Sequence, residues 1–204
     1  MEKIKYTKNE LKKQKDNLKR FTRYLPTLDL KKQQLQVEIR HIQSRMEKLD
    51  ADIKAMDERV SKWADVFAED IDLHNFFDIK SVVVKEGNIA GIDIPVFDDV
   101  IFEDKEFDSY SVPLWVDRAI EVIKDQIRRK AELSVAAKQE HIIREELRVT
   151  IQRIKLFEEV KIPEARENIR VIHIFQGDQM TAEVVRGKIA KAKIEKKKLK
   201  GNRV

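Results

Sequence analysis

Leu35-Gln36-Val37-Glu38-Ile39-Arg40-His41-Ile42-Gln43-Ser44-Arg45-Met46-Glu47-Lys48-Leu49 is the stretch that decides the fold. Apolar side chains at 35, 39, 42, 46 and 49 recur in alternating steps of four and three, the spacing that lines one seam of a helix. The same frame extends in both directions. Its a positions are Ile4, Leu11, Leu18, Leu25, Lys32, Ile39, Met46, Ile53, Val60 and Phe67. Its d positions are Thr7, Gln14, Phe21, Leu28, Leu35, Ile42, Leu49, Met56, Trp63 and Asp70. Nine of ten a positions and seven of ten d positions are apolar, among neighbours that are mostly Lys, Glu, Gln and Arg. A 3.5-residue repeat held this long predicts a left-handed coiled coil, rod-like, with a mechanical or scaffolding role.

Composition points the same way. Of 204 residues, 39% are charged and 7% aromatic, with only 5 Gly and 4 Pro. That is the profile of long helices rather than of a Gly-rich α/β enzyme. The net charge of +5 is unevenly placed. Residues 1–23 hold nine Lys/Arg against three acids, and residues 186–204 hold nine against one, so the middle is net acidic. The absence of cysteine excludes disulfides and thiolate metal sites. No apolar run approaches 18 residues and no signal-peptide core opens the chain, so a cytoplasmic protein without direct membrane insertion is expected.

Thr7-Lys8-Asn9-Glu10 reads as a capping box, which starts the first helix near residue 7 and carries it to about 72. Pro26 lies inside it, but the heptad keeps its phase from Leu25 to Leu28, so a bend rather than a break is expected. Residues 73–114 change character. Ser81-Val82-Val83-Val84-Lys85 is β-branched, Glu86 to Gly91 is rich in turn formers, and Ile92, Ile94 and Val96 alternate with polar residues. A β-hairpin over about 81–102 follows, with Pro95 marking an edge strand and residues 108–113 a loop. From 115 to 204 the pattern is helical again, with a drifting seam, a second internal proline (Pro163), and Gly177 and Gly187 loosening the end. The Lys-rich tail from about 195 is expected to order only when bound. The fold class is thus mainly α: N- and C-terminal arms pair as a long antiparallel two-helix coiled coil in one structural unit, with a small hairpin in mid-chain.

No catalytic constellation is legible. His41, His74, His141 and His173 are scattered, no Gly-rich phosphate loop precedes a helix, and the acids lie on solvated helix faces. No catalytic residue, metal ligand or cofactor is assigned. Trp63 sits on the seam, and Trp115 opens the second helix, where it packs the hairpin or meets a partner. The basic stretch 186–204 contains no aromatic, so it lacks the interleaved rings of a nucleic-acid site.

Three ordered blocks remain: Thr7 to Leu11 with Tyr24-Leu25-Pro26-Thr27-Leu28 to Leu35, then Asn88-Ile89-Ala90-Gly91-Ile92-Asp93-Ile94-Pro95-Val96, then Arg153 to Pro163. Together they resemble the D-subunit of V-type (archaeal and bacterial vacuolar-type) ATPases and ATP synthases, with Lys155 in place of the usual Asn. The resemblance implies a central rotor shaft without a catalytic site, peripheral to the cell membrane through its complex. The end bearing both termini would enter the hexameric head of catalytic and regulatory subunits, with Lys8, Lys12, Lys188, Lys191, Lys193, Lys196 and Lys197 as its contacts. The hairpin end would face the small F-subunit of the stalk and the subunit capping the membrane ring, through Ile89, Ile92, Ile94, Pro95, Val96 and Trp115. A prefoldin-like chaperone subunit and a basic-ended adaptor for nucleic acid are the alternatives that the residues alone leave open.

Overall fold

The computed structural model describes residues 4–62, 76–105, 113 and 115–201, the last four by their backbone. In order these form α1 (Lys8–Ser61), β1 (Phe77–Ile89), β2 (Ile92–Asp104), α2 (Val116–Lys155), a π-helical turn (Leu156–Lys161) and α3 (Ile162–Gly201). The chain is mainly helical, as its heptads require. Two compact units are present: Leu30–Thr150 is one, and the residues up to Asp29 with those from Ile151 onward are the other.

The heptad frame holds residue by residue. The buried positions of α1 are Leu35, Ile39, Ile42, Leu49 and Ile53, all of them a or d. The Thr7 hydroxyl accepts from the Glu10 amide at 3.2 Å, so half of the capping box forms. The Glu10 carboxylate is taken instead by the Gln14 amide at 2.8 Å. α1 passes through Pro26 without interruption. The expected stretch from 63 to 72, with Trp63, Phe67 and Asp70, lies outside the described residues, as does the loop at 108–112.

In the Leu30–Thr150 unit, α1 and α2 run antiparallel. Lys31 pairs with Glu146 (2.7 Å), Gln43 with Glu140 (2.7 Å), Arg45 with Glu132 (2.5 Å) and Asp52 with Arg129 (3.2 Å), so partner numbers fall as α1 numbers rise. Partly exposed pairs of this kind stabilise little, about 0–1 kcal/mol each, but they fix register. The stability comes from the seam: Leu35, Ile39 and Ile42 pack with Ala136 and Ile143 of α2 and with Ile94 of the hairpin. A second cluster, Phe76, Phe77 and Val116, anchors the hairpin base.

The hairpin is longer than its β-branched core suggests. Strands Phe77–Ile89 and Ile92–Asp104 pair from Phe77↔Asp104 to Ile89↔Ile92. Glu86 to Ile89, read in the sequence as turn formers, are strand. The turn itself is Ala90-Gly91, with φ of 52° and 78°. Two positive φ values suit a two-residue turn whose twist matches the strands. Asn88 supports it, accepting from the Gly91 amide at 3.0 Å and donating to Asp93 at 2.7 Å. Gly87 is required by close approach: a Cβ there would lie 2.5 Å from Val96 Cγ2.

In the other unit, Tyr6 stacks on Phe175 (4.9 Å between ring centroids) and Phe21 on Phe157 (5.2 Å), again antiparallel. Ile154 before the π turn and Ala165 and Ile172 after it are buried in this unit. The π turn has a local cause. Pro163 has no N–H and its ring crowds the carbonyl four residues back. The Ile162 amide just before it reaches five residues back, to the Phe157 carbonyl, so one widened turn absorbs the mismatch. Gly177 and Gly187 do not end the helix; α3 continues through both, and through the Lys-rich stretch from 195, to Gly201.

Candidate docking surfaces

Three exposed regions stand out against this framework. The first is the end of α3. From Gly177 to Lys197 every residue is exposed, and that includes Lys188, Lys191, Lys193, Lys196 and Lys197. Met180, Val184, Val185, Ile189 and Ile194 among them are between 49% and 58% exposed. The last described ring contact with the N-terminal segment is Tyr6–Phe175. From Gly177 on, no described side chain of α3 is buried, and the segment presents a basic helix surface mixed with aliphatic residues. Lys8 and Lys12 are exposed on α1 in the same unit.

The second region is the hairpin. Its inner face carries most of the residues that sequence reasoning assigned to this end. Ile94 is 4% exposed, and Ile89, Ile92 and Val96 pack around the same cluster. Pro95 is half-buried and its carbonyl accepts from the Gln139 amide at 2.5 Å. Trp115 packs with Phe76, Phe77 and Val116 at the hairpin base. These positions hold the hairpin on α2. Lys124 and Arg128 reinforce them, each lying over the Phe102 ring and each paired to a hairpin carboxylate, Asp104 and Asp99 respectively. The side chains left outward are Ile79, Val82, Val84 and Ile101, between 44% and 53% exposed.

The third region is one flank of the α1–α2 pair, and it escaped the sequence reading. Glu132, Gln139 and Glu146 fall seven apart on α2 and share a stripe. Glu132 and Glu146 meet the g positions Arg45 and Lys31 of α1, and Gln139 meets the hairpin. That flank is therefore covered. Gln126, Glu140 and Leu147 share another stripe, and Glu140 and Gln126 meet the e positions Gln43 and Asp57. Here no hairpin lies. A shallow groove opens between Gln36, Ile39 and Arg40 of α1 and Arg144 and Leu147 of α2. The Glu140 carboxyl within this flank is held below its usual value, chiefly by the Arg144 guanidinium hydrogen bond and also by the Gln43 amide.

Among the described residues, no group of three His, Cys, Asp or Glu side chains is placed to hold a metal ion. No described helix is long and apolar enough to cross a membrane. His41, His141 and His173 are exposed and far apart in sequence, and His74 lies outside the described residues.

The family model for the ATP synthase D-subunit matches residues 10–192. The V-type ATP synthase D-subunit of Borreliella burgdorferi is 48% identical over 197 residues, covering 97% of this chain and 98% of the relative. The corresponding protein of Chlamydia caviae is 34% identical over 199 residues, with 96% and 95% covered. That of Chlamydia pneumoniae is 31% identical over 202 residues, with 98% and 97% covered. The match runs through both helical arms and the hairpin between them, and the chain belongs to the D-subunit family of V-type ATP synthases.

Proposed function

We propose that this chain is the central-stalk rotor of a V-type ATP synthase or ATPase, transmitting torque between an ion-translocating membrane ring and the catalytic head. It carries no catalytic site; ATP chemistry belongs to the head. One observation supports the reading beyond family membership: the helix from Gly177 to Lys197 is basic and exposed at every residue. A helix this exposed has few tertiary contacts to hold it, and isolated helices are marginal in water. Its surface suits a sleeve. Lysines on long, mobile stems attract acidic walls without a fixed geometry, and scattered Val, Ile and Met add weak apolar contact. A shaft that must turn needs attraction of this diffuse kind.

In this reading Lys8, Lys12, Lys188, Lys191, Lys193, Lys196 and Lys197 face the catalytic and regulatory subunits of the head. The hairpin and its outward side chains face the small F-subunit of the stalk and the subunit capping the membrane ring. The protein sits on the cytoplasmic side, peripheral to the membrane through these partners. Family membership takes the place of the chaperone and nucleic-acid alternatives.

The test is to replace Lys188, Lys191, Lys193 and Lys196 together by Gln in the assembled complex. Head retention on the tagged chain, or ATP turnover coupled to ion movement, should fall at least several-fold. Unchanged assembly together with unchanged coupled turnover would overturn the assignment.

A further inference from the structure

The arm made by α2, the π turn and α3 holds one residue more than its seam uses. Along α2 the seam positions Ile143, Leu147, Thr150, Ile154 and Phe157 are buried or half-buried, in steps of four, three, four and three. The next step of this frame is four and falls on Lys161. Lys161 is half-buried, but the frame through it would continue to Glu164, which is exposed. The seam of α3 instead runs Ile162, Ala165, Ile169, Ile172 and Gln176, also buried or half-buried, in steps of three, four, three and four. From Phe157 to Ile162 the step is five. It coincides with the bond of the Ile162 amide to the Phe157 carbonyl, five residues back.

Pro163 fixes where the arm widens, because its missing N–H interrupts the ladder there. It does not account for the additional residue, since α1 runs through Pro26 as uninterrupted helix in a single frame. The seam spacing does. Removing any one residue between Phe157 and Ile162 would turn the step of five into four, and the ten seam positions from Ile143 to Gln176 would then form one unbroken heptad pattern. The surplus residue is therefore no part of the packing. The turn that stores it, Leu156–Lys161, contains no buried residue, and Leu156 and Val160 are 44% and 47% exposed. Phe157 ties the turn to α1 through its ring contact with Phe21. Single π turns are rare in helices and cluster at functional sites. An insertion that adds nothing to the seam points to a use other than holding the arm together.

We propose that the surplus residue makes the π turn a movable joint in this arm. Amides within the turn exchange between bonding five residues back and four, so that the widening passes along the stretch up to Pro163 while the seam on either side stays closed. The seam sets the limits of the joint. Ile154 on one side is 6% exposed and Ala165 on the other 3%, and between them no residue is buried. A joint bounded in this way lets the arm twist or bend at one turn without opening its coiled coil. Its use in a turning shaft rests on the rotor reading above; the joint itself follows from the seam.

Hydrogen exchange and thermal unfolding of the full-length chain test it. In the parent, the amides from Glu158 to Ile162 should exchange about tenfold faster than those from Ala165 to Ile172. Equal protection of the two stretches overturns the joint. Deletion of Glu159, an exposed residue, removes the surplus; exchange of the remaining amides of the turn should slow to the level of α3, and the melting temperature should hold or rise. Deletion of Glu47, equally exposed but on α1, where no surplus exists, should lower it by about 10 °C or more by throwing one side of the seam out of phase. If the Glu159 deletion lowers the melting temperature as far, the residue belongs to the packing and the proposal fails. Pro163→Ala keeps the surplus, so fast exchange should persist; exchange slowed as in the deletion would make the proline, not the surplus residue, the source of the turn. In the assembled complex the Glu159 deletion should lower coupled turnover several-fold with head retention unchanged. Unchanged turnover would overturn the joint's role in coupling, while the lysine substitutions, which leave the turn intact, test the rotor reading separately.

Discussion

The paired part of α1 and the end of α3 are both uninterrupted helix, and they are helical for different reasons. Between Leu35 and Ile53, five side chains of α1 are buried, and Leu35, Ile39 and Ile42 among them pack into a cluster with α2 and the hairpin. Between Gly177 and Lys197 no side chain is buried at all. There the backbone has only local help, such as Thr181 Oγ1 donating to the Gly177 carbonyl at 3.0 Å. Most helical stability in proteins comes from packing an apolar face, not from propensity. The comparison therefore separates the part of the molecule that holds itself together from the part that offers itself to something else.

The largest effect should come from cutting the seam. Leu35 is fully buried and touches the cluster that joins α1, α2 and Ile94 of the hairpin. Leu35→Ala should destabilise the Leu30–Thr150 unit by about 2–5 kcal/mol, because it removes buried methyl groups and leaves a cavity. Val184→Ala, at a position 58% exposed, should change stability by no more than about 0.5 kcal/mol. Denaturant unfolding of both variants checks the pair. If Val184→Ala costs as much as Leu35→Ala, the end of α3 is packed in the free protein and the contrast is lost.

A smaller effect distinguishes two glycines. A Cβ at Gly187 would meet nothing within 4 Å, whereas one at Gly87 would meet Val96 Cγ2 at 2.5 Å. Gly187→Ala should stabilise the helix end by about 0.5–1 kcal/mol, seen as slower hydrogen exchange around residues 180–195. Gly87→Ala should destabilise the hairpin by about 1–3 kcal/mol through overpacking. Unchanged exchange in the Gly187 variant would mean that a contact beyond local propensity already fixes that segment.

Much of this is legible in the sequence because the heptad is a strong signal. Every buried residue of α1 lies on the frame that starts at Ile4. The turn is harder to place because Gly87 and Asn88 look like turn formers, and the sequence does not show that Gly87 serves Val96 across the strand. The helix end reads as loose because two glycines lower helix propensity and a Lys run repels itself; neither fixes where α3 stops. The inner hairpin residues are legible as apolar, but not which face they take. The flank of the α1–α2 pair that the hairpin leaves bare is present as a signal, the loss of charge from Leu30 to Ser44 compared with residues 9–23. Which residues of α2 border it depends on the register of that helix, and its drifting seam does not reveal that Glu132 and Glu140 lie on opposite flanks.

The smallest effect tests the bare flank in the isolated chain. The Glu140 carboxyl sits below its usual value of 4.5, first because the Arg144 guanidinium bonds it at 3.0 and 2.7 Å, with the Gln43 amide adding to this and burial opposing it. A carboxylate with a lowered folded value favours folding fully above its ordinary range, and that contribution is lost as pH falls through the lowered value. Arg144→Gln removes the main cause. The variant should be less stable than the parent by about 0.3–0.5 kcal/mol at pH 7, the size of a spaced helix pair. That gap should close as the pH falls below the ordinary carboxylate range, where Glu140 is protonated in both proteins. Urea unfolding across pH measures it. A gap that persists in acid would show that Arg144 stabilises through its aliphatic stem packed beside Leu147 rather than through charge, and the groove would then be held by apolar contact on both walls.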